Sequence, residues 1–130
     1  MKLYAAIMLG GALGSAARFA MAVWIGGKVG EEFPWGTLAV NVIGSFFIGF
    51  VAGLTGPDGP LMAPEIVRVF IMVGILGGFT TFSSFSLQTF MLMQDGQWLW
   101  AGGNVLVSVL LCLLATAGGI ALVNVLPLKS

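Results

Sequence analysis

The chain has 130 residues, 58% of them hydrophobic and 8% charged, and its mean hydropathy is +1.06. Soluble domains carry roughly 25% charged residues, so this composition describes an integral membrane protein with no room for a separate soluble domain. Net charge is zero without a basic or acidic run, His is absent and Cys112 is the single cysteine, which excludes a nucleic-acid footprint, a disulfide framework and a Cys/His zinc site within one chain.

A membrane span needs about 20 apolar residues, and four segments qualify. The first covers residues 3–25. It runs on past any short signal-peptide core and has no convincing cleavage site, so it reads as a retained span. Gly10, Gly14 and Arg18 fall at i, i+4 spacing on one face. Arg18 is the only charge well inside a span, and an ionisable residue there is a functional candidate by default. It either draws anions toward a vestibule or snorkels from the helix end. The connector 26–34 carries Lys28, Glu31 and Glu32.

The second span covers residues 35–54, with Thr37, Asn41, Ser45, Gly49 and Gly53 in one row. Rows of small residues let helices approach closely, and packing is the expected role of the glycines. Asn41 differs, because a side-chain amide in hydrocarbon is costly without partners and its NH2 can donate either to structure or to an anion. The connector 55–65 holds three prolines and Asp58.

The third span, residues 66–93, is longer than a straight crossing needs. Its middle reads Gly77-Gly78-Phe79-Thr80-Thr81-Phe82-Ser83-Ser84-Phe85-Ser86. Two glycines weaken the helix there, and the hydroxyls bring hydrogen-bonding groups to mid-membrane depth. A break near 77–83 is predicted. Non-helical backbone at that depth is tolerated where it is buried in protein or lines a watery cavity, so the segment points to an ion or substrate site. A kinked helix with hydroxyls bonded to its own backbone is the alternative. The fourth span, residues 98–126, carries Ser108, Cys112 and Thr116 on one face. Tryptophans 24, 35, 98 and 100 fall near segment ends, where aromatic belts form.

Four spans place Lys2, Arg68 and Lys129 on one side and Lys28, with Arg18 reaching toward it, on the other. That near balance gives the orientation rule almost nothing to act on, so insertion in both orientations is expected, with a single weakly determined orientation as the alternative. Glu31, Glu32, Asp58, Glu65 and Asp95 all lie in connectors or at span ends. A proton-coupled carrier of cations usually needs a membrane-buried carboxylate, and none is embedded in a span.

Gly36-Thr37-Leu38-Ala39-Val40-Asn41 together with the 77–86 segment closely resembles the Fluc (CrcB) family of fluoride channels, and the resemblance extends over the whole chain. It implies an all-α membrane protein of four helices, the third broken mid-membrane, assembled as an antiparallel dual-topology homodimer in the plasma membrane. Two fluoride pores would each draw on both copies. Phe82 and Phe85 would turn ring edges to fluoride, and Asn41 would stand near the vestibule. Ser83, Ser84, Ser108 and Thr116 would fall on or near a polar track, and Arg18 would match the arginine of the first helix. The carbonyls of Gly77 and Thr80 would hold a central structural sodium ion that is not transported. Cys112 departs from the serine expected at its position, and a thiol is the weaker donor.

The chemistry suits a small, strongly hydrated anion. Its water must be replaced by donors at each step, which Asn41 and the hydroxyls of Thr81, Ser83, Ser84 and Thr116 could supply without a fixed charge that would retain it. Aromatic rings are positive at the edge. A passive channel suffices, since an inside-negative potential drives an anion outward. Two further readings share the composition: a small four-span coupled exporter of toxic ions or drugs, which lacks its carboxylate here, and an accessory subunit of a larger complex. An enzyme is not expected, because no nucleophile–base pair or metal cluster can be assembled from buried residues.

Overall fold

The structure, a computed structural model, describes residues 1–128; Lys129 lies outside them. Helices cover Lys2–Val29, Trp35–Thr55 and Trp98–Val125, with a helical stretch from residue 65 to 94 between the last two. All four are long and apolar enough to cross a membrane. The protein is therefore a multi-pass membrane protein, as its composition requires.

The first and last helices are each 28 residues, about 42 Å at 1.5 Å per residue, so their ends pass beyond a hydrocarbon core of about 30 Å. The first helix outruns its expected end at residue 25 because nothing before Gly30 stops it. Gly30 does so with φ 86°, its amide donating to Gly26 O at 2.9 Å. Gly96, with φ 74°, turns the chain after the third crossing in the same way. At the same end of the molecule the Phe33 ring packs, tilted, with its centroid 4.7 Å from that of Trp35 and 5.5 Å from that of Trp100, tying the first connector to two helix starts.

Two close helix pairs make the body. The first helix lies along residues 69–79, and the second along Trp98–Val125. Glycine makes both approaches possible. A Cβ at Gly10 would stand 2.6 Å from Phe70 O and 2.9 Å from Gly74 Cα; one at Gly49 would meet the Thr116 carbonyl, and one at Gly119 the Phe46 carbonyl. Gly10 faces Gly74 and Gly14 faces Phe79, while Gly49 faces Thr116 and Gly53 faces Ile120. Both pairs ascend together in number, so the paired helices run parallel. Val40 and Asn104 are the largest fully buried side chains, and Phe19, Leu106, Leu113 and many other apolar residues are exposed. A single copy has a thin core and leaves its remaining apolar surface to lipid or to another protein surface.

The third crossing is irregular over its first half, up to residue 81. Glu65–Arg68 is α-helical, Val69–Leu76 winds as a π-helix and Gly77–Phe79 returns to α. Thr80 (φ −83°, ψ 158°) and Thr81 (φ −150°, ψ 115°) are then extended, and an α-helix resumes over Phe82–Gln94.

Candidate functional site

The two extended threonines are held from another helix. Asn41 Nδ2 donates to Thr81 O at 3.0 Å, and Asn41 Oδ1 accepts from Thr81 N at 2.7 Å. One amide side chain thus satisfies both backbone groups of a residue that has left the helical ladder, which removes the cost of burying them unpaired. Thr81 also caps the helix that follows: its Oγ1 accepts from Ser84 N at 3.2 Å and donates to Ser84 Oγ at 3.1 Å. Thr80 turns back, its amide and hydroxyl both donating to Leu76 O at 3.0 Å. Gly44 gives its side chain room.

This bonding diverts two amides. The helical partner of Gly77 O is Thr81 N, which donates to Asn41 instead; the partner of Thr80 O is Ser84 N, which donates to Thr81 Oγ1. Gly77 is exposed and Thr80 half-buried. Among the described residues no group of three or more His, Cys, Asp or Glu is placed to hold a metal, so a cation here would depend on carbonyl oxygens.

Beside the threonines lies a groove of about 450 Å³, lined among others by Asn41, Gly77, Thr80, Phe82, Phe85 and Ser108. Six of the residues expected at the site therefore converge although they come from three crossings. Phe85 is buried, while Phe82 is 77% exposed, with the ring centroids 5.4 Å apart and the planes tilted by 51°. Cys112 also lines the groove. Ser83, Ser84, Thr116 and Arg18 do not. Ser83 is exposed on the following helix, Ser84 is engaged by Thr81, and Arg18 is half-buried one turn beyond Gly14. Thr116 donates to Ser45 O at 3.0 Å and so ties the last helix to the second.

A buried polar network behind Ser108 adds two residues that the sequence reading passed over. Ser108 Oγ donates to Asn104 Oδ1 at 3.2 Å, Asn104 Nδ2 donates to Thr89 Oγ1 at 2.8 Å, and Thr89 Oγ1 donates to Phe85 O at 2.7 Å. The network joins the helix carrying both phenylalanines to the helix carrying Ser108. Asn104 was legible as the next member of the Ser108, Cys112, Thr116 row, four residues earlier. All five carboxylates are exposed and lie in connectors or at helix ends.

Residues 5–120 match the family described as CrcB-like protein, Camphor Resistance (CrcB). A fluoride-specific ion channel FluC of Opitutus terrae is 57% identical over 130 residues, covering 99% of this chain and 98% of that protein. The FluC of Rhodospirillum rubrum is 54% identical over 111 residues, 85% of this chain and 86% of its own. Fluoride-specific ion channel FluC 3 of Brucella suis is 48% identical over 113 residues, 87% and 85% of the two chains. With the family match reaching from the first helix to the last, and a relative aligned over almost its full length, the chain belongs to the CrcB family that its 77–86 segment resembles.

Proposed function

We propose that this protein is a passive, fluoride-selective channel that lets fluoride leave the cytoplasm, working as an antiparallel homodimer with two pores. The observation that carries this reading is the groove in which Asn41, Phe82, Phe85 and Ser108 meet beside two extended residues. Fluoride is the ion named for relatives up to 57% identical. The lining is mostly apolar with a few donors and no charge, which suits an anion that must enter readily and leave readily. Phe82 and Phe85 present ring edges to it.

The donors divide into two kinds. Asn41 uses one N–H on Thr81 and keeps the other, and Ser84 accepts from Thr81 and keeps its own proton. Ser83 is exposed, with a long 3.4 Å contact to Thr81 Oγ1. These three form the ready part of the polar track. Ser108 and Thr116 donate to Asn104 and Ser45, and they serve the ion only by turning away from those partners. Arg18 raises the local anion concentration at the vestibule.

One copy leaves the groove open, with Phe82 mostly uncovered, which supports a pore wall completed by a second copy. The exposed Gly77 and its diverted carbonyl, together with that of Thr80, fit a hard cation shared across a two-fold axis. A structural sodium ion bound there would neutralise carbonyl dipoles that lack amide partners.

The deciding experiment is efflux from liposomes containing only this chain, read with a fluoride electrode beside a chloride control. Rapid fluoride loss without chloride loss, and without a proton gradient, is expected. No efflux with sodium present would remove the channel reading in favour of an accessory subunit. Efflux that required a proton gradient would indicate a coupled exporter.

A further inference from the structure

We propose that Asn41 builds the cation site: by clamping Thr81 it withholds the amide that would otherwise close on Gly77 O, so the pore-lining amide and the central cation are energetically coupled. The inference rests on the structural-cation reading above, and adds a residue that touches no cation yet decides whether one is held.

The geometry gives the reason. An α-helix running on through Gly77 would place Thr81 N on Gly77 O. Instead that N–H lies 2.7 Å from Asn41 Oδ1, while Asn41 Nδ2 takes Thr81 O at 3.0 Å. The second bond matters as much as the first, because it fixes the peptide of Thr81 in the extended range and keeps its N–H turned from the ladder. Thr81 repeats the device one step on: its Oγ1 takes Ser84 N at 3.2 Å and so frees Thr80 O. Two side-chain acceptors thus release two carbonyls, and these are the two assigned to the cation.

Coupling of this kind is reciprocal. A cation held by Gly77 O favours the clamped form of Asn41, and the clamp favours the cation. Asn41 also lines the groove, so the cation helps to fix the orientation in which its remaining N–H is offered there. In a two-fold dimer each substitution acts twice on one ion.

The test uses the full-length purified protein in lipid nanodiscs. Its thermal midpoint is followed as sodium chloride replaces N-methylglucamine chloride at constant ionic strength. The wild-type midpoint is expected to rise with sodium. In N41A and T81V the sodium concentration giving half the rise should move up by about tenfold or more, or the rise should vanish. G27A, in the first helix where an added Cβ meets nothing within 4 Å, should follow the wild type. If N41A does not fold, N41L decides, since leucine keeps the volume and removes both bonds to the Thr81 backbone; T81V leaves that clamp in place and tests only the release of Thr80 O. Variants that titrate like the wild type would overturn the clamp and leave the channel and its cation standing. A wild type indifferent to sodium would overturn the cation site and this inference with it.

Discussion

Asn104 is 1% exposed, and a polar side chain so placed in a membrane protein needs every partner it has. It accepts from Ser108 and donates to Thr89. Replacing it by leucine keeps the volume but leaves the Ser108 hydroxyl without its acceptor and Thr89 Oγ1 without its donor. The expected cost is about 1–3 kcal/mol, the usual penalty for buried polar groups deprived of one partner. It should appear as a lower thermal midpoint of N104L. T89V removes the other end of the same link, so the double variant should lose less than the sum of the two. Strict additivity would mean that the hydrogen bond contributes nothing. Asn41 belongs to the same scale, and its two bonds to Thr81 show that a residue facing the groove also holds the backbone together.

Between elements, the glycine contacts decide how near the helices can come. A Cβ at Gly49 would press on the Thr116 carbonyl, whereas one at Gly27 meets nothing within 4 Å. G49A should therefore destabilise by about 1–3 kcal/mol through overpacking, and should also disturb the bond from Thr116 to Ser45 O. G27A should be neutral, or stabilise by up to about 1 kcal/mol through helix propensity. Thermal unfolding of both variants checks the contrast; equal effects would mean that the second and last helices can separate at little cost. These contacts were readable in advance because i, i+4 spacing is a local signal. So was the 77–86 segment, whose glycines and hydroxyls announce an interruption. Two other features were not legible. The π-helical winding of Val69–Leu76 has no signature, since an unbroken apolar run fits either helix. The extended form of Thr80 and Thr81 depends on Asn41, forty positions away, a partner that local pattern cannot supply. The donor state of Ser108, by contrast, was within reach of local pattern, because its partner Asn104 stands four residues earlier in the same row.

The molecule as a whole carries its charge almost evenly between its two ends. Among the described residues Lys2 and Arg68 fall on one side, with Lys28 and the half-buried Arg18 toward the other. Orientation follows a Lys/Arg excess in short loops, so a chain without one should insert both ways, and an antiparallel dimer would need both forms. Reporter tags at the C-terminus should then appear on both membrane faces. Two or three added lysines in the 55–65 connector should bias the chain one way, and the same number in the 26–34 connector, on the opposite side, the other. Each biased variant expressed alone should lose fluoride efflux, because only copies of one orientation are present. Expressed together they should recover it, since every dimer can again pair opposite copies. Full efflux from either variant alone, with tags on one face only, would exclude the antiparallel arrangement. It would leave Phe82, 77% exposed in a single copy, to be covered by lipid or by a parallel neighbour.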